Sequence, residues 1–215
     1  ALCDVWGVLH DGIHPHPAAA EALLNFRRRG GTVVLVSNAP RPAIHVMPHL
    51  DHMNVSREVW DAFVTSGDVT RALIEQQGGK PYYWLGPERD APLFDGLEAP
   101  SVPFEDAEMV VCTGLYNDDV ETPDDYRDIL ERALARRLPM ICANPDIVVE
   151  RGDKLIYCAG AVAEAYAAMG GEVAYAGKPH RPIYAAALEL AASKRGGEID
   201  MTRVFALGDA LRTDV

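Results

Sequence analysis

Short apolar runs and amphipathic helical patterns alternate along most of this chain, the signature of an α/β fold built on a parallel sheet. The run "ALCDVW" predicts a first strand. In "AAAEALLNFRRRGG", Ala20, Leu23 and Leu24 share one helical face, Pro17 stands just before the first turn, and Gly30 and Gly31 form a stop. The strand "TVVLV" over 32–36 follows, then the turn "SNAPRP" and a helix-like segment from Pro42 that Pro48 should kink or end. "DAFVTSGDVTRALIEQQGG" repeats the order strand, turn, helix. These units read as successive βα steps of one sheet.

After Gly78 and Gly79 the texture changes. Residues 81–108 carry Pro81, Pro87, Pro92, Pro100 and Pro103 around the short apolar pieces "YYWL" and "PLF", poor material for a regular βα unit. Alternation resumes at "EMVVCTG", and a helix is predicted from Thr122-Pro123, with Asp124 and Asp125 in its first turn and Tyr126, Ile129, Leu130, Ala133 and Leu134 on one face. Strand-like "PMICAN", "DIVVE" and "KLIYCA", the Ala-rich helix "AVAEAYAAM" and the strand "EVAYAG" follow. Residues 80–176 therefore read as a second unit inserted into a discontinuous core of 1–79 and 177–215. Both chain ends read as cut, since few residues precede Asp4 and few follow Gly208-Asp209.

Composition narrows the class. The 48% hydrophobic and 24% charged residues are those of a globular protein rather than a disordered or fibrous one. No apolar run reaches the roughly 20 residues that span a bilayer, and no basic-then-apolar leader precedes Asp4, so a cytoplasmic location is expected. The net charge of −12 opposes bulk attraction to nucleic acid polymers or anionic membranes. Phosphate can still be held by a local cluster of cations, a divalent metal and backbone amides. Cys3, Cys112, Cys142 and Cys158 are widely spaced without C-x-x-C and read as buried thiols.

Four residues share a context. Asp4, Ser37, Lys178 and Asp209 each lie at the C-terminal end of an apolar strand or the start of the next helix, the edge of a parallel sheet where ligands bind. Asp4 brings a carboxylate, Ser37 and Asn38 neutral donors, Lys178 a cation, and Asp209 with Asp214 hard oxygen ligands. Such groups together can hold Mg²⁺ and a phosphoryl group. Taken singly, each also fits a plain turn or cap, and Asn144-Pro145-Asp146 fits either a substrate contact or a strand-end turn. His14 and His16, with no third ligand nearby, read as solvated or as flap contacts.

In order, "DVWGVLHDG", "SNAP", "GKP" and "GDALRTD" resemble the four motifs of the haloacid dehalogenase-like hydrolases, and the insertion with "ANPD" resembles the class IIA cap of the NagD-like phosphatases. The resemblance implies a Rossmann-like parallel-sheet core with an inserted α/β cap domain and a Mg²⁺-dependent hydrolysis of small phosphate monoesters. It implies that Asp4 attacks phosphorus to form an aspartyl-phosphate, with Lys178 offsetting charge at the catalytic centre. Asp4, the backbone carbonyl of Trp6, Asp209 and Asp214 would hold the metal. Ser37, Asn38 and Lys178 would bind the phosphoryl oxygens, and Asn144 and Asp146 would touch substrate from the cap. The expected partner is a small phosphorylated metabolite, and homo-oligomer formation stays open.

Trp6 departs from the family pattern. Phosphatases of this type carry there an Asp that protonates the leaving oxygen and then activates water, and indole does neither. Loss of such a group costs about 10² to 10⁴ in rate. The chain is then a slow phosphatase for good leaving groups, an enzyme whose substrate, His10 or Asp11 supplies the proton, or a phosphate or nucleotide sensor that keeps the metal site.

Overall fold

Residues 1–151 and 154–214 are described by the computed structural model. The first half follows the alternating pattern: β1 Leu2–Cys3, α1 Pro17–Arg28, β2 Val34–Ser37, α2 Ala43–His52, β3 Ala62–Thr65 and α3 Ser66–Glu75. Next come β4 Tyr82–Leu85, β5 Met109–Cys112, α4 Arg127–Ala135 and β6 Met140–Cys142. The strands β7 Val148–Arg151 and β8 Lys154–Tyr157, helix α5 Ala159–Ala168, β9 Val173–Tyr175, α6 Arg181–Arg195 and β10 Ala206–Leu207 complete the order.

Two parallel sheets divide these strands. One runs β10-β1-β2-β3, the other β4-β5-β6-β9. The inner strands β1, β2, β5 and β6 are buried throughout because both faces of each sheet are covered there. Val34 and Val36 of β2 point to the side packed by Ile183, Ala187 and Ala191 of α6, whereas Val33 and Leu35 face Leu23 of α1 and Leu50 of α2. In the second sheet Val110 and Cys112 pack toward Leu130, Val162 and Tyr166, and Met109 and Val111 toward Leu93 and Ile74. Ile74 belongs to α3, so the two sheets share a helix between them.

Several elements differ from expectation. Only Leu2 and Cys3 of "ALCDVW" pair as strand, because β1 ends where Asp4 turns into the loop. Pro48 does not end α2, which continues to His52. The carbonyl its missing N–H leaves free belongs to Ile44, an exposed position that water can reach. "YYWL" forms a full strand despite the prolines around it, and the return to β5 runs through the 3₁₀ turns Glu88–Phe94 and Phe104–Asp106 rather than a helix. "DIVVE" and "KLIYCA" pair with each other as an antiparallel ribbon outside both sheets. The helix after Thr122 opens on a 3₁₀ turn closed by a reciprocal cap between Thr122 and Asp125. All four cysteines are buried and unbridged. Among the described residues no helix is long and apolar enough to cross a membrane.

Candidate active site

The C-terminal edge of the first sheet gathers residues from both ends of the chain. Asp4 leaves β1 with its N–H bonded to the Leu207 carbonyl of β10 and its Oδ1 accepting the Val5 N–H at 2.7 Å. Lys178, in the loop before α6, places Nζ 2.6 Å from Asp4 Oδ1 and 2.6 Å from Asp214 Oδ1. All three side chains are buried. Burial pushes the Asp4 carboxyl up to about 7, with the neighbouring Asp214 in the same direction and Lys178 opposing. Burial works against the Lys178 charge, but Asp4 and Asp214 outweigh it and hold the ammonium above its usual range.

Asp209 follows β10 after Gly208. One carboxylate oxygen from each of Asp4, Asp209 and Asp214 lies within 4.8 Å of the others, the sole cluster of this kind among the described residues. Two glycines make room for it. A Cβ on Gly7, whose φ is +83°, would fall 2.2 Å from Asp209 Oδ2, and one on Gly208 would fall 2.1 Å from the Asp214 carboxyl carbon. His14, by contrast, is exposed and faces only Asp11 at 3.4 Å, and His16 precedes α1 without a side-chain cap.

Ser37 and Asn38 stand at the end of β2. Ser37 Oγ accepts the Ala39 N–H at 3.2 Å, leaving its own proton free to donate. The Asn38 amide is engaged on both sides: Oδ1 accepts the Lys178 N–H at 2.7 Å, while Nδ2 donates to Asp146 Oδ1 at 2.8 Å and to the Lys178 carbonyl at 3.2 Å. Its side chain is thus a brace between β2, the Lys178 loop and the "ANPD" turn. Asn144 Oδ1 accepts the Asp146 N–H at 3.0 Å and makes that turn. Burial raises the Asp146 carboxyl above its usual range, against the pull of Asn38.

A cavity of about 540 Å³ opens over these groups, lined by Asp4, Trp6, Ser37 and Lys178 and by residues of the β7–β8 ribbon. Its lining also holds residues that no motif marks. Asp118 accepts from Arg151 at 2.9 Å and from Arg89, and these cations hold it below the usual carboxylate range despite its burial. Asp90, pushed up to about 6 by burial, has Arg41 at 3.9 Å. These partners lie far apart in sequence, and only the folded chain brings them together.

A profile of the haloacid dehalogenase-like hydrolases matches residues 1–98. The crystal structure of a haloacid dehalogenase-like family hydrolase from Brucella suis 1330 is 49% identical, with a TM-score of 0.94 over 99% of this chain and 78% of that one. The chain belongs to the haloacid dehalogenase-like hydrolases. More distant structures share the fold. A 4-nitrophenylphosphatase from Thermotoga maritima is 23% identical, with a TM-score of 0.74 over 100% of this chain and 79% of that one. A glycerol phosphate phosphatase from Mycobacterium tuberculosis, in complex with calcium, is 26% identical, with a TM-score of 0.70 over 99% and 60%. No curated protein matches significantly.

Within this haloacid dehalogenase-like chain, the loop after Asp4 is shaped around Trp6. Its indole is 38% exposed and lines the cavity. Gly12, at φ +94°, lies beneath it, and a Cβ there would come within 2.6 Å of the ring. His10 meets the indole edge-on at 5.3 Å between ring centres and meets His49 edge-on at 5.4 Å. His10 Nδ1 accepts the Gly12 N–H at 2.9 Å, and burial, reinforced by His49, lowers its pKa to about 4. His10 is therefore neutral near pH 7 and does not line the cavity. Asp11 does line it, but two backbone N–H donors, from His14 and Ile13, hold its carboxyl down to about 2. Neither is poised as a proton donor at neutral pH.

Proposed function

We propose that this hydrolase is a phosphatase acting on small phosphate monoesters, with Asp4 as nucleophile. The observation that carries this reading is the buried Asp4–Lys178 pair facing a cavity beside two further convergent carboxylates. Residues 1–79 and 177–215 would form the catalytic core and 80–176 the cap, whose ribbon contributes to the lining of the cavity.

The donor set fits Mg²⁺. Hard carboxylate oxygens converge, and the missing Cβ of Gly7 leaves space beside Asp209. Asp4, the Trp6 carbonyl, Asp209 and Asp214 would hold the ion, which when bound offsets negative charge between nucleophile and phosphate. Lys178 draws the phosphoryl group toward Asp4, and the Ser37 hydroxyl donates to one of its oxygens. Asn38 keeps Lys178 in place through its backbone. An Asp4 oxygen attacks phosphorus as the ester P–O bond breaks, giving an aspartyl-phosphate and the leaving alkoxide or phenoxide. Water then attacks phosphorus and releases phosphate, regenerating Asp4. Trp6 offers no proton for the first displacement and no base for the second, so turnover is slow.

Release of inorganic phosphate from phenyl phosphate with Mg²⁺, measured for the parent and for Asp4→Asn, tests the assignment. The parent should turn over and the variant should not. Equal rates would remove Asp4 from the reaction. Tight phosphate binding without turnover in the parent would instead identify a sensor, the reading that Trp6 alone favours.

A further inference from the structure

The cavity lining is chemically mixed. Asp4, Lys178 and Asp209 line it beside further charged side chains, among them Arg89, Asp118 and Arg151. The remainder includes Trp6, Val148, Leu155 and Tyr157, exposed by 38%, 40%, 67% and 39%. Folding ordinarily leaves such side chains scattered singly over a surface, and a group of them around one catalytic cavity marks a ligand surface. Val148 and Tyr157 are direct cross-strand partners, and Leu155 lies two residues from Tyr157 on the same ribbon face. Opposite pairs on an antiparallel ribbon reinforce one another, so Val148 and Tyr157 act together, while Glu150, the partner of Leu155, puts a charge on the same face.

Trp6 is fixed in position. Gly12 approaches the indole more closely than any other residue type would allow, and buried His10 closes its edge. A ring clamped in this way loses little freedom on contact with a ligand. We propose that Trp6 is the specificity-determining residue of this site, its indole forming with Val148, Leu155 and Tyr157 a slot for an aromatic leaving group. The preferred substrates are then phosphate esters of phenols rather than of sugars or other aliphatic alcohols. This rests on the phosphatase reading above.

Two consequences of one residue agree. Indole cannot protonate a leaving oxygen, and a phenoxide, whose conjugate acid has a pKa of about 10 in tyrosine, needs protonation far less than an aliphatic alkoxide. The bond from phosphorus to the phenolic oxygen breaks as that from Asp4 forms, and phenoxide departs with the electron pair. Water attack on the aspartyl-phosphate yields dihydrogen phosphate, which supplies the proton that converts phenoxide to phenol, leaving hydrogen phosphate.

Steady-state kinetics on substituted phenyl phosphates and on cyclohexyl phosphate, with parent, Trp6→Leu and Trp6→Asp, test the proposal. The parent should favour phenyl over cyclohexyl phosphate by at least about 10² in kcat/KM, and among the phenyl phosphates kcat/KM should fall steeply as the leaving-group pKa rises. Trp6→Leu should raise KM for phenyl phosphate roughly three- to tenfold without altering that slope. Trp6→Asp should flatten the slope. Comparable kcat/KM for phenyl and cyclohexyl phosphate, with turnover still dependent on Asp4, overturns the slot but leaves the phosphatase. Absence of Asp4-dependent turnover on every ester overturns the phosphatase reading itself. Should the Trp6 variants fail to fold, inhibition of the parent decides: phenylphosphonate should bind several-fold tighter than cyclohexylphosphonate, and equal inhibition constants overturn the slot.

Discussion

Lys178 Nζ lies 2.6 Å from Asp4 Oδ1, and the two side chains come to this distance from opposite ends of the chain. The same ammonium is 2.6 Å from Asp214. In Lys178→Met the two carboxylates face each other buried and without a counterion, which costs about 3 to 5 kcal/mol when one partner of a buried pair is removed. Urea unfolding in EDTA should show that loss at pH 8 and a smaller one at pH 5, where the carboxyls can take up protons. The variant should also lose at least about 10² in kcat/KM, since the phosphate charge is no longer offset.

Gly7 and Gly96 separate crowding from backbone strain. Both have positive φ, +83° and +73°, but only Gly7 has a carboxylate where a Cβ would stand, while Gly96 faces open space. Each alanine variant should be destabilised by about 1 to 2 kcal/mol from the left-handed backbone. Calorimetric titration should show Mg²⁺ affinity weakened about tenfold or more in Gly7→Ala alone. Unchanged binding in Gly7→Ala would detach Asp209 from the metal.

His10 gives a pH signature to stability. Its pKa falls from 6.5 in the unfolded chain to about 4 in the fold, chiefly through burial. Below pH 6.5 the unfolded state therefore binds the extra proton, and stability drops as pH falls from 6.5 toward 4, by about 3 kcal/mol at the limit. Above 6.5 the effect vanishes. Burial pushes Asp90 up to about 6, which changes stability in the opposite sense over acid pH. The His10 contribution is thus the difference between parent and His10→Phe in chemical unfolding at pH 4.5 and 7.5, and it should shrink to nothing at the higher pH.

Trp6 has a kinetic consequence apart from substrate choice. With no base at that position, water attack on the aspartyl-phosphate becomes the slow step. Rapid mixing with an activated aryl phosphate should give a burst of phenol stoichiometric with enzyme, and acid-quenched protein should carry a hydroxylamine-sensitive acyl phosphate. Trp6→Asp should abolish the burst. A linear time course in the parent would show that phosphoenzyme formation is limiting.

The parallel α/β architecture was legible because strands buried on both faces leave uninterrupted apolar runs such as "VVLV" and "MVVC", and helices leave a stripe such as Tyr126, Leu130 and Ala133. Boundaries were less so. Whether Val5 extends β1 depends on which carbonyl of β10 its neighbour meets, and whether Pro48 ends α2 depends on whether water reaches the carbonyl it strands. The β7–β8 ribbon was visible as two apolar pieces, but their mutual pairing was not, because period-two patterning does not name a partner.

The sequence by itself marked Asp4, Ser37, Lys178, Asp209 and Asp214 as side chains suited to phosphate and metal chemistry, because acids, a hydroxyl and a lysine follow apolar runs there. Tertiary structure decided what each does there. It turned the Asn38 amide into a brace between Lys178 and Asp146, put Arg89 and Arg151 on Asp118, and set Trp6 against Gly12 and His10. Such contacts join residues far apart in the chain or depend on how a loop closes, and their energies depend on distance and burial, which chain order does not encode.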